Sequence, residues 1–202
     1  MPIEQISYWV SLTAWAIVIM GWFVFAGSFF LRKKPEASPD AVNAPKSWLG
    51  IILQGISYAP VWALHRSPAF SPFVGENYVL NIILQILAAF LCSACVYLTM
   101  SSIRELGKQW SLEARLVEGH KLVKTGPYNL VRHPIYTAML GMLIATGIVL
   151  SHWMVLLPAI VVFLIGTYIR TRFEERLLSD AFGGEFSEWK RKVPGLIPFV
   201  KF

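Results

Sequence analysis

The sequence predicts an all-α integral membrane protein of about five transmembrane helices, and three observations carry that prediction. The chain is 55% hydrophobic and only 15% charged over 202 residues, with a mean hydropathy of +0.55, which is more apolar than a soluble domain needs to fill its core. Its apolar residues fall in long uninterrupted runs rather than in strand-length alternation. Its basic residues stand beside the ends of those runs. A spanning helix takes about 20 residues to cross about 30 Å of hydrocarbon, so five helices use most of the chain as a single domain over 1–202.

The first run, Tyr8 to Leu31, carries no charge and stops at Arg32, Lys33 and Lys34. A cleavable signal peptide competes for this segment, but Glu4 precedes the run and no Lys or Arg does, so the basic leader region is missing. Pro35, Pro39 and Pro45 mark the following stretch as a loop. Trp48 to His65 is the second run, interrupted by Pro60, where a kink is expected. Tyr78 to Met100 is the third and completes an N-terminal unit over 1–100. Cys92 and Cys95 lie inside it, with no further Cys or His at ligand spacing, so they are expected as small apolar side chains, neither disulfide nor metal site.

Residues 101–202 form the chemical half. A polar connection from Ser101 to Arg132 leads into two shorter runs, Ile135 to Leu150 and Trp153 to Ile169, separated only by Ser151 and His152. So short a connection forces an antiparallel hairpin. The last helix continues past Ile169 through Arg170, Glu174, Glu175 and Arg176, and Gly183 and Gly184 are expected to stop it. Five spans put the termini on opposite sides. With the N-terminus outside, every one of the 18 Lys and Arg residues except Arg66 faces the cytoplasm, as the positive-inside rule requires. The net charge of +6 therefore reads as membrane topology; the clustered basic stripe that nucleic acid needs is absent.

Two polar patches flank the hairpin, His120 to Tyr136 and Arg170 to Glu175. The hairpin returns the chain to its starting face, so residues distant in sequence share one site. Pro134 suits a first helical turn, and the start of that helix, with free N–H groups and a partial positive charge, can seat an anion such as an amino-acid carboxylate. Arg132 and His133 would reinforce it. Arg170 and Glu174 stand at i and i+4 on one helix face. By itself that spacing gives an interfacial ion pair, yet ionisable residues at membrane depth tend to be paired, inward-facing and functional. The 14 glycines include no G-x-G-x-x-G and strands do not alternate with helices, so no Rossmann sheet is expected.

The spacing H-x-L-V-x-x-G-x-Y-x-x-x-R-H-P-x-Y from His120 to Tyr136, then R-x-x-x-E-E from Arg170 to Glu175, then Phe182, Gly183, Phe186 and Trp189, and finally V-P-x-x-x-P-F from Val193 to Phe199, resembles the isoprenylcysteine carboxyl methyltransferase family. The phospholipid N-methyltransferases share a looser version of this core. The resemblance covers roughly the C-terminal half. It implies S-adenosylmethionine as cofactor, surrounded by His120, Lys121, Leu122, Val123, Tyr128, His133, Pro134, Ile135, Tyr136 and Glu174. It implies Arg170 as the group that meets the acceptor's carboxylate, with Arg132 and Glu175 in support and no metal.

A carboxylate acceptor is ionised at neutral pH and needs no general base. A phospholipid amine would need one, for which Glu174, Glu175 and His133 are candidates. The implied acceptor is lipidic or lipidated, approaching from the bilayer, with the cofactor site on the cytoplasmic face. Rival readings are a membrane reductase with a distantly similar core and a small transporter, the latter disfavoured because no paired inverted halves are visible.

Overall fold

The structure, a computed structural model, describes residues 1–30, 42–43, 47–107, 115–116, 121–198 and 200. Those residues form five helices: α1 Ile3–Phe30, α2 Trp48–Ala63, α3 Tyr78–Leu106, α4 Pro134–Leu150 and α5 Trp153–Lys192. Each of them holds the body of one expected apolar run. A two-residue antiparallel ladder, β1 Val42–Asn43 with β2 Arg115–Leu116, ties two connections together and had no sequence signal.

Helices α1, α3 and α5 are long and apolar enough to cross a bilayer by length and composition. α2 and α4 have 16 and 17 residues. At 1.5 Å per residue they reach only about 25 Å. For α4 the shortness has a physical reason: it lies inside the protein. Ten of its residues are buried, and a helix that is hydrophobic all round belongs in a core.

α4 separates two apolar clusters. On one side Ala138, Met142, Ala145 and Val149 pack with Ala14, Val18 and Phe25 of α1 and Ala88, Cys92 and Cys95 of α3. On the other, Leu143 packs with Val61 of α2 and Leu156, Ala159 and Phe163 of α5. Small residues dominate the first contact, as expected where lipid tails supply no hydrophobic drive and close approach must hold helices together. Cys92 and Cys95 are free and buried, with their sulfurs where Gly21 and Gly141 leave room.

Polar contacts fix the direction of every helix. Asn81 near the start of α3 donates to Ser7 and Ser11 near the start of α1, at 2.9 and 3.1 Å. Gln85 donates to the Ile148 carbonyl near the end of α4. Arg66, just past α2, donates to the carbonyls of Ile148, Val149 and Ser151, each at 2.8 Å. The last carbonyls of a helix have no partner of their own and carry partial negative charge, which is why this isolated arginine is buried at the α4 terminus. The beginnings of α1, α3 and α5 thus share one face with the ends of α2 and α4, and the end of α5 lies on the opposite face.

α5 departs from the expected stop at Gly183. That glycine takes φ 50 and ψ −116, a conformation that breaks the helix, yet the chain resumes helical form to Lys192. The resumed turns bring Phe186, Trp189 and Val193 against Tyr128, and this apolar contact outweighs the two glycines' tendency to end the helix.

Candidate functional site

The two polar patches meet at the far end of the α4–α5 hairpin. Pro134 is the first residue of α4, so Arg132 and His133 stand immediately before it and Tyr136 within its first turn. Across from them, on α5, come Arg170, Glu174 and Glu175. Arg170 is 4%, Arg132 7% and His133 8% exposed, and such burial demands partners for their charges.

Glu174 is the meeting point of one group. Tyr136 donates its hydroxyl to Glu174, Arg170 Nε donates to the same oxygen at 3.0 Å, and Arg170 Nε also donates to the Tyr136 hydroxyl. The Arg170 guanidinium lies 5.4 Å from the Tyr136 ring centre. The i, i+4 ion pair expected from the sequence is therefore present, but its arginine is buried, its glutamate half-buried, and both are tied to a second helix. Glu175 collects another group: Arg132 at 2.8 Å, His133 Nε2 at 3.1 Å and Lys190 at 2.6 Å. His133 joins the two, with its Nδ1 3.6 Å from Glu174 and its ring stacked on Tyr136.

Burial pushes the His133 imidazolium pKa down, but hydrogen bonds to Glu174 and Glu175 and their negative charge outweigh it and hold the pKa above its usual value. A raised folded pKa means the native state holds its proton longer than the unfolded chain, so this contribution is complete below the unfolded value of about 6.5 and is lost as pH climbs through the folded one. The thermal unfolding midpoint of the purified protein is expected to fall across that rise, and the His133→Gln variant to show a flatter profile. Parallel profiles would contradict the assignment.

The C-terminal segment closes over this cluster through its backbone. Arg132 donates its main-chain N–H to Pro194 at 2.8 Å and His133 donates to Gly195 at 3.0 Å. The Arg132 side chain donates to the carbonyls of Lys190 and Val193, and Thr137 donates to that of Leu196. The two main-chain N–H groups just ahead of the α4 start are thus taken by tail carbonyls. Neither that cover nor Lys190 was expected from the sequence. The one available signal was Arg132 itself, since a buried guanidinium has five donors to satisfy.

The remaining expected residues divide. Leu122 and Val123 are half-buried and pack against Tyr128, Phe186, Trp189 and Val193. Tyr128 is buried; burial first, then the Glu174 and Glu105 carboxylates, push its phenol above the ordinary value. Ile135 is half-buried, Pro134 buried and Lys121 exposed. His120 lies outside the described residues. No group of three or more His, Cys, Asp or Glu that could hold a metal occurs among the described residues.

Residues 83–185, half of the chain, match the family described as phospholipid methyltransferase. The chain belongs to that family. Among individual relatives, protein-S-isoprenylcysteine O-methyltransferase B of Arabidopsis thaliana is 33% identical over 89 residues, 44% of this chain and 45% of the plant protein. The protein-S-isoprenylcysteine O-methyltransferase of Schizosaccharomyces pombe is 28% identical over 169 residues, 78% of this chain and 69% of the relative. That of Saccharomyces cerevisiae is 37% identical over 83 residues, 40% of this chain and 34% of the relative. The strongest local identities thus span half or less of the relatives' lengths. The branch that the C-terminal motifs resemble is the one these relatives carry in their names. Within this member of the phospholipid methyltransferase family, the matched stretch runs from α3 to the Gly183 break. It holds both polar patches, while α1, α2 and the covering tail lie outside it.

Proposed function

We propose that this protein transfers a methyl group from S-adenosylmethionine to the carboxylate of a prenylated cysteine or similar lipidic acid, at the cytoplasmic end of the α4–α5 hairpin. The observation that carries the proposal is the Tyr136–Arg170–Glu174 constellation, with Tyr136 and Arg170 buried and Glu174 half-buried, inside the stretch that matches the family. The whole chain, 1–202, acts as one membrane domain with its N-terminus outside; the basic residues after Ile169 and around Lys121 and Lys124 favour that orientation.

The donor set suits the cofactor. A sulfonium and an ammonium group call for carboxylates and aromatic faces, and Glu174 with Tyr136 and Tyr128 offers both. Tyr128, His133, Pro134, Ile135, Tyr136 and Glu174 would hold it, with His120, Lys121, Leu122 and Val123 along one side. When bound, the cofactor would supply a methyl carbon on positively charged sulfur, for transfer to the acceptor's carboxylate oxygen with the sulfur leaving as a neutral thioether. No proton has to move. The chain's task is alignment and exclusion of water: Arg170 orients the acceptor carboxylate, Arg132 and Lys190 hold Glu175 in place, and the tail covers the cluster.

Titrating the purified protein with S-adenosylhomocysteine is expected to give saturable binding, and the absence of binding would remove the proposal. Supplied with labelled cofactor, the protein should place label on a farnesylated cysteine analogue rather than on phosphatidylethanolamine. Label on the phospholipid amine would instead establish a phospholipid acceptor, the class that the family's description names.

A further inference from the structure

We infer that Gly50 of α2 is a positioning residue for Arg170, so that a helix outside the matched stretch sets the aim of the acceptor-binding arginine. The inference rests on the proposed role of Arg170 and deepens it.

Helices α2 and α5 approach backbone to backbone at one point. A Cβ on Gly50 would come within 2.6 Å of the Gly166 carbonyl oxygen and 2.8 Å of Arg170 Cβ; one on Gly166 would come within 2.8 Å of the Gly50 carbonyl oxygen and 2.9 Å of Leu53 Cβ. Neither helix can accept a side chain here without backbone movement. One turn further along α2, Gln54 donates to Thr167 at 2.9 Å, both residues being buried. That bond fixes rotation and register where the glycine pair fixes distance.

Arg170 follows directly. Its Cβ lies against Gly50, while its Nε reaches Tyr136 of α4 and Glu174. The root of the side chain is therefore set by α2 and its course by α4. Displacing α5 from α2 acts first on the root of Arg170, whose Cβ is in contact with α2, while Glu174 and Glu175, also on α5, are tied across to the start of α4 by Tyr136, Arg132 and His133. Acceptor binding should then respond more than cofactor binding.

Gly55 supplies the control. It lies in the same helix, exposed, and a Cβ added there would meet nothing within 4 Å, so Gly55→Ala makes the same change in helix propensity without the contact. In Gly50→Ala the acceptor KM is expected to rise about tenfold or more, since displacing a reacting group by an ångström is costly. S-adenosylhomocysteine affinity should stay within about twofold, a change too small to mark a lost contact. The preference for a farnesylated cysteine carboxylate over its carboxamide, measured as direct binding, should shrink in parallel. Gln54→Ala, which introduces no clash, should move the same quantities in the same direction by less, and Gly55→Ala should move none.

Unchanged carboxylate preference in folded Gly50→Ala overturns the inference, as does an equal loss of cofactor-product binding. Should Gly50→Ala not accumulate, Gln54→Ala decides by the same criteria. Wild-type protein that transfers no methyl group would defeat the proposed function, and the positioning would still be read from the carboxylate-over-carboxamide binding ratio.

Discussion

Replacing Glu174 with Ala is expected to weaken S-adenosylhomocysteine binding by about 100-fold, the equivalent of losing about 2–3 kcal/mol of charge-assisted hydrogen bonding. Three side chains converge on this one carboxylate: Tyr136 and Arg170 share one of its oxygens, and His133 faces the other. A cofactor amino or hydroxyl group approaching the cluster would find in Glu174 its acceptor. Glu174→Gln keeps the size and removes the charge, so it should fall between wild type and Glu174→Ala. Removing one member of a buried charged group also costs stability, on the order of 3–5 kcal/mol. Unfolding midpoints must therefore accompany the titration. Glu185→Ala is the comparison: its pair with Lys124 is half-exposed on both sides, and such pairs contribute little. Equal affinities in the Glu174 and Glu185 variants would defeat the assignment.

The sequence reveals this site unevenly, for physical reasons. Apolar runs are visible because the bilayer imposes their length and purity, and the meeting of the two patches is visible because Ser151 and His152 leave the chain no choice but to turn back. The sheltered position of α4 is less visible, since its composition resembles that of a lipid-facing span; what differs is that ten of its residues are buried by neighbours. Gly183 was legible as a break but not as a break followed by more helix, because the reward for continuing comes from Tyr128, more than fifty residues away in sequence. The tail cover was legible only through the donors that Arg132 must satisfy. It is made by the carbonyls of Val193, Pro194, Gly195 and Leu196, and a backbone acceptor leaves no mark in a sequence. Gly50 and Gly166 are likewise ordinary glycines until their helices are placed side by side.

Arg170→Ala is expected to lower turnover of a carboxylate acceptor by about 100- to 1,000-fold, the range seen when a group that orients or stabilises charge at the reacting centre is lost, while S-adenosylhomocysteine still binds. The two readouts should separate because Arg170 and the cofactor have opposite relations to Glu174. Arg170 neutralises part of that carboxylate through its Nε; without it, Glu174 presents more negative charge to a cationic cofactor. Cofactor affinity should therefore hold or improve in a variant that has lost its activity. Arg170→Lys retains the positive charge but lacks the planar fork that bonds a carboxylate through two N–H groups, so its turnover should recover only in part. Arg170→Ala also distinguishes the two acceptor chemistries. A carboxylate needs the cation, whereas an amine arrives protonated, is repelled by the cation in that form, and draws no orienting ion pair from it once neutral. Arg170→Ala should then leave amine methylation unharmed or raise it. Loss of carboxylate turnover with retained cofactor binding would tie Arg170 to the acceptor's negative charge. Unchanged turnover in the folded variant would return the arginine to the plain role its spacing first suggested, an ion pair with Glu174 that braces one helix.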